Sequence, residues 1–261
     1  MIPWKDYLHK ELSIGEFTEI FASFDEEEDY RNAPVYSRWG DGEFSAIFQI
    51  EGKNCDGHQY YSEMGTALNH VLKTQYQFGS AFYCGLVPIA VKVFGDRINQ
   101  YVYSMFQDMQ TGENFSNVFA PKWISGNILM EANREGQIGG FLKMLRDKYR
   151  ILYVGPKRLR PLENDDFINI CGWVEVSSND AWRYHQKVYS QIITDIFSKR
   201  CNMICFSAGM PSKVLIYEIR RVLKNIPMID FGSMWDGYFG YNSRKYHNDY
   251  DWDQVREKNL K

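Results

Sequence analysis

Short apolar runs of strand length alternate with longer stretches of helical periodicity, and this alternation constrains the chain more than any other feature. Arg150–Val154, Trp173–Val176, Met203–Phe206 and Pro227–Phe231 are mostly apolar, while Ala181–Phe197 and Ser212–Leu223 carry apolar residues at helical spacing. Strands without strict polar alternation are buried on both faces, and joining them through helices of ten or more residues produces βαβ crossovers and a mostly parallel sheet. The N-terminal half continues the pattern. Ile14–Phe24 reads as a covering helix, Pro34–Ser37 as a strand, Glu63–Tyr76 as a helix and Ala81–Cys84 as a strand. Helical patterns follow at Ile89–Phe94, Ile98–Met109, Asn127–Arg134 and Gly140–Lys148, with a further strand at Asn117–Ala120. The expectation is a single Rossmann-like α/β domain over residues 1–261, its first 30 residues a covering segment and residues 241–261 a tail. That tail has the composition of a lid, an oligomer contact or a flexible end.

Ligands of such sheets sit at the carboxyl ends of the strands. That rule selects Asp41 and Glu43, Gly155–Lys157, Ser177–Asp180, Ser207–Lys213 and Asp230–Asp236. In Tyr36-Ser-Arg-Trp-Gly-Asp-Gly-Glu-Phe44, Gly40 and Gly42 permit a sharp turn with positive φ, bringing two carboxylates together ahead of a helix beginning at Phe44. Mg²⁺ or Mn²⁺ bridging phosphate oxygens suits such a pair, and Arg38 adds a fixed positive charge. An ordinary strand-to-helix turn, with Glu43 favoured by the helix dipole, accounts for the same residues. Farther on, Ser207-Ala-Gly-Met-Pro-Ser212 joins a strand to a helix. Gly209 allows close approach, Pro211 suits a first helical position, and Ser212 and Lys213 follow where free N–H groups would face an anion. The segment is not a Walker A loop.

A formal charge of −3 and a pI near 6.0 argue against bulk electrostatic binding of nucleic acid. No apolar run approaches the roughly 18 residues of a membrane span, and the first residues lack a signal-peptide pattern, which points to a cytoplasmic protein. The five cysteines, Cys55, Cys84, Cys171, Cys201 and Cys205, have no paired Cys-x-x-Cys spacing and read as free thiols in a reducing compartment. Asp25–Asp29 reads as a solvated acidic run.

Arg38-x-Gly40-Asp41-Gly42-Glu43, a mid-chain strand ending in Gly155-Pro156, Asp180-Ala181-Trp182 opening a helix, Gly209-x-Pro211-Ser212 and Ile229-Asp230-x-Gly232 occur in an order that resembles the GT-D-type glycosyltransferases, over roughly Val35–Tyr241. The resemblance implies transfer of a sugar from a nucleotide-diphosphate donor, such as a UDP-sugar, to a hydroxyl acceptor on a glycan, a glycoprotein or a modified base. Asp41 and Glu43 occupy the family's Asp-x-Glu positions and would hold the diphosphate through Mn²⁺ or Mg²⁺. The Gly209–Ser212 loop stands where the family usually reads Gly-Pro-Thr-Ala. Ser233 stands where the family has a histidine, and His247, read as a surface residue, is a possible substitute.

Stabilising the departing diphosphate is the main electrostatic task of such a transfer, and an inverting reaction also needs a carboxylate to deprotonate the acceptor. Asp180, Asp230 and Asp236 are the candidates, with Asp236 preferred among them for its place beyond the last strand; a turn-stabilising role accounts for Asp230 as well as catalysis does, and a simple Asp-Gly turn accounts for Asp236 better. Trp235 and Tyr238 stack on a sugar or base, or pack the tail onto the core. Two other readings compete: an S-adenosylmethionine-dependent methyltransferase using Gly155, which lacks the Gly-x-Gly such a loop needs, and a non-catalytic nucleotide- or carbohydrate-binding protein. An oligomer is compatible with all three.

Overall fold

The computed structural model describes residues 11–27, 32–54, 57–78, 81–98, 122–241 and 244–260. Seven strands form one sheet: β1 (Val35–Trp39), β2 (Phe82–Leu86), β3 (Lys122–Ser125), β4 (Ile151–Pro156), β5 (Ile170–Val176), β6 (Met203–Phe206) and β7 (Met228–Asp230). Their order is β3-β2-β1-β7-β6-β4-β5, and every described pairing is parallel. The Rossmann-like α/β expectation therefore holds. The expected strand at Asn117–Ala120 and most of the helix at Ile98–Met109 lie outside the described residues. β3 has no counterpart in the sequence reading, because Lys122-Trp-Ile-Ser125 between Pro121 and Gly126 is too short to show a period.

Side-chain alternation along the strands divides the core in two. Val35, Trp39, Leu152, Val154, Ile204 and Phe206 face one side of the sheet, and Tyr36, Ile151, Tyr153, Met203, Cys205 and Ile229 face the other. The first side is covered by α3 (Ser62–Thr74), α4 (residues 88–98), α7 (His185–Ser198) and α8 (Pro211–Val222). The second is covered by α1 (Ile14–Ala22), α5 (Ile128–Arg134) and α6 (Gly139–Lys148). Ser13 and Glu16 close a reciprocal capping box that starts α1. In the acidic run that follows, Asp25, Glu26 and Glu27 are exposed.

The tail belongs to the fold. Its helix α9 (Trp252–Leu260) is anchored by Asn259, which is 3% exposed: its amide donates to the Asn133 carbonyl at 2.8 Å and its oxygen accepts from the Ile138 N–H at 3.3 Å. Trp235 is fully buried, and Tyr238 stacks on Phe167, so both aromatics are core residues. His247 is 1% exposed and meets the Trp252 ring edge-on, which corrects its reading as a surface residue. A second correction concerns the cysteines. Cys84 and Cys205 are buried free thiols as expected, but Cys171, at the start of β5, and Cys201, in the loop before β6, are joined by a disulfide with their Cα atoms 6.4 Å apart.

The helix following β1, α2 (Asp41–Ile47), is held in place by a close crossing with α3. A Cβ on Gly65 would lie 2.1 Å from the Ala46 carbonyl oxygen, so only glycine lets the two backbones approach this far. Gly65→Ala should force α3 away from α2 and destabilise the protein by about 1–3 kcal/mol, seen as a lower urea midpoint with an unchanged slope.

Candidate functional site

The carboxyl ends of β1, β7 and β6 meet at the centre of the sheet, between the β3-β2-β1 half and the β7-β6-β4-β5 half. Crevices at such a switch point are where open α/β sheets bind ligands. Here a cavity of about 890 Å³ opens, large enough for a nucleotide-sized ligand. Its floor is Gly40–Glu43 and Ser207–Met210, with Lys213; Val87–Ile89, Asn127 and Met130 form one flank, and Pro156, Val176 and Ser177 the other. Arg38, Lys92, Arg134, Arg158, Lys213 and Arg244 all line it, against the carboxylates Asp41, Glu43 and Asp236. The wall is therefore basic although the chain as a whole carries −3.

β1 ends at Trp39 and α2 starts at once, with Gly40 as its N-cap. The Glu43 side chain turns back so that its Oε2 accepts the Gly40 N–H at 2.7 Å, satisfying an otherwise orphaned donor. This corrects the start of the helix from Phe44 to Asp41, and Gly40 and Gly42 do not adopt positive φ. The two carboxylates consequently part company. Asp41 is exposed on the cavity wall, while Glu43 is 6% exposed.

Glu43 faces α8. Its Oε1 lies 2.8 Å from Lys213 Nζ, which in turn lies 2.8 Å from Asp230 Oδ2 at the end of β7. The remaining ammonium contacts are Ser212 Oγ at 3.2 Å and the Gly209 carbonyl at 3.4 Å. Burial works against both charged forms. The Lys213 ammonium and its hydrogen bond nevertheless hold Glu43 below the usual glutamate range, and Asp230 and Glu43 hold Lys213 above the usual lysine range. Asp230 Oδ1 accepts the Gly232 N–H at 3.0 Å, so this aspartate too is fully engaged.

The anion loop is built differently from its sequence reading. Gly209 has φ 68°, which favours glycine, and a Cβ there would also crowd His58 Nε2 at 3.2 Å. Pro211 is the first helical residue, as expected. The Ser212 and Lys213 N–H groups, however, are bonded to the Gly209 and Met210 carbonyls, and the Ser212 hydroxyl lies within bonding distance of Asp230. Ser212 is fully buried, so these groups are engaged within the loop and do not face the cavity.

A divalent cation does not fit the Asp41–Glu43 pair as this chain builds it. Any cation on Glu43 would share that carboxylate with the Lys213 ammonium. Two unit positive charges about 4 Å apart repel by about 4 kcal/mol at an effective dielectric near 20, and a divalent ion would double that. Among the described residues, no three of His, Cys, Asp and Glu converge as a ligand set.

No protein-family model matches this sequence, and no curated protein matches it. Among solved structures, the chain is similar to one described as the highly conserved domain of unknown function 1792 with a distinct glycosyltransferase fold, at 19% identity and TM-score 0.57, covering 96% of this chain and 94% of that one. It is also similar to a glycosyltransferase of that domain from Streptococcus sanguinis, at 15% identity and TM-score 0.55, covering 86% of this chain and 81% of that one. This is a glycosyltransferase fold.

Within it, the sequence-selected residues separate into those on the cavity and those off it. Arg38, Gly40, Asp41, Gly42, Glu43, Gly209, Lys213 and Asp236 line it. Gly155, Pro211, Ser212 and Asp230 lie behind the wall, and Asp180 lies elsewhere, bonded to the Tyr61 hydroxyl at 2.9 Å and to Arg183 at 3.1 Å. Asp236 is fully buried and paired with Arg158 at 3.3 Å. Ser233, at the family's histidine position, does line the cavity, whereas His247 does not. The sequence reading missed His58, Lys92, Arg134, Arg158 and Arg244. Of these only Arg158 carried a signal, three residues after Gly155 at a strand's carboxyl end.

Two outcomes test the buried trio. Lys213→Met leaves two buried carboxylates without a counter-ion and should cost about 3–5 kcal/mol in chemical denaturation. Because the Glu43 pKa is depressed in the folded state, its contribution is complete above the ordinary value of 4.5 and is lost as pH falls through the lower folded value. That acid limb should be absent from the stability–pH profile of Glu43→Gln.

Proposed function

We propose that the chain is a glycosyltransferase that moves a sugar from a nucleotide-diphosphate donor to a hydroxyl acceptor. The observation that carries this reading is the basic cavity at the switch point of a glycosyltransferase fold, sized for a nucleotide sugar. In the transfer, the acceptor oxygen bonds to the anomeric carbon while the bond from that carbon to the diphosphate oxygen breaks, the electron pair leaving with the diphosphate. Developing negative charge on the leaving group is what the site must stabilise, and preorganised cations in a partly water-excluded cavity do so most effectively. Arg38 is suited to that task. Its Nε is fixed by a 2.8 Å bond to the Gly126 carbonyl, leaving the terminal nitrogens to face the ligand.

The acceptor proton needs a base. Asp41, exposed on the cavity wall and without a cationic partner among the described residues, is better placed than the Arg158-bound Asp236 or the Lys213-bound Asp230.

The reading is tested by incubating the protein with UDP-, GDP-, CDP-, ADP- and dTDP-sugars and measuring nucleoside diphosphate release, with and without glycan and nucleoside acceptors. One donor should be turned over. Asp41→Asn should lower kcat by about 10²–10⁴-fold, the range of general base catalysis. Absence of release from every donor, or an unchanged kcat in Asp41→Asn, would count against the donor class or the base respectively.

A further inference from the structure

The cavity holds a pair of acidic residues spaced like a metal site and, at the same place, a buried lysine that occupies one of them. Glu43 has both oxygens committed, one to Lys213 at 2.8 Å and one to the Gly40 N–H at 2.7 Å. Lys213 is itself committed on its other side to Asp230 at 2.8 Å, and it is only 4% exposed. Glu43, Lys213 and Asp230 thus form a closed unit, and a cation on Glu43 would have to share that carboxylate with the Lys213 ammonium. Arg38 is in the opposite condition. It lines the same cavity, its one described hydrogen bond is to a neutral carbonyl, and no carboxylate among the described residues balances its charge. A planar guanidinium with a pinned Nε and unengaged terminal nitrogens presents parallel donors that match two phosphate oxygens.

Resting on the donor reading above, we infer that this chain holds the donor diphosphate through the Arg38 guanidinium without a divalent cation, Glu43 serving as the counter-ion of Lys213 and not as a metal ligand. Arg38 takes the part of the charge that a metal would supply. The Glu43–Lys213–Asp230 unit keeps the floor of the cavity rigid beneath it.

The experiment is isothermal titration of the wild-type chain with inorganic pyrophosphate and with UDP, GDP, CDP, ADP and dTDP, each in EDTA and in Mn²⁺. Pyrophosphate and one nucleotide should bind with dissociation constants that agree within about threefold in the two buffers. Arg38→Met, checked for folding by its melting temperature, should weaken the same ligands at least tenfold, and Arg38→Lys should recover only part of that loss because the paired donors are gone. Binding tenfold or more weaker in EDTA overturns the inference while leaving the nucleotide-sugar donor intact. Unchanged affinity in a folded Arg38→Met overturns it as well. If no ligand binds in either buffer, both the inference and the donor reading fall.

Discussion

A single buried ammonium organises the centre of this molecule. Lys213 sits in the first turn of α8 and reaches Glu43 in the first turn of α2 and Asp230 at the end of β7. The β1–α2 turn, the start of α8 and the end of β7 converge on it, so displacing any one of them separates a buried charge from its partner. Buried ion pairs contribute little net stability over an apolar replacement, but breaking one is expensive, so such a unit fixes geometry more than it adds free energy. In this chain the geometry fixed is that of the β1–α2 turn and the β6–α8 loop, which together floor the cavity.

The sheet order explains why these residues meet. β1 pairs with β2 on one side and β7 on the other, so the turn after β1 and the last strand's end are neighbours despite lying far apart in sequence. β6 adds its loop beside β7. The same arrangement draws Arg38 from β1 and Arg158 from beyond β4 to one cavity, producing a basic wall on a chain of net negative charge. Local charge at the switch point, and not the overall balance, sets the potential that a molecule entering the cavity meets.

Several features were legible in the residues because they depend on short-range chemistry. The strands β4, β6 and β7 and the helices α7 and α8 follow from apolar periodicity, and the first turn of α8 follows from Pro211. What failed was anything that depends on a partner distant in sequence. Asp41 and Glu43 look equivalent in a string of letters, yet one faces the cavity and the other a lysine 170 residues away. Ser212 reads as an anion donor, but its hydroxyl has Asp230 to satisfy. Cys171 and Cys201 show no pairing motif, because the bridge joins residues 30 apart in sequence that only the folded chain brings together. His58 and Arg244 sit in segments with no periodicity, and only the fold reveals that they reach the site.

The sequence by itself determined the layered α/β architecture and the strand ends around which the cavity opens, since burial on two faces and crossover length are properties of contiguous segments. Tertiary structure alone decided which acidic residue is neutralised by Lys213 and, among the described residues, which carboxylate and which cation of the cavity have no partner of opposite charge. Desolvation makes every buried charge find a partner, and which partners are within reach is a matter of how the strands are ordered in space.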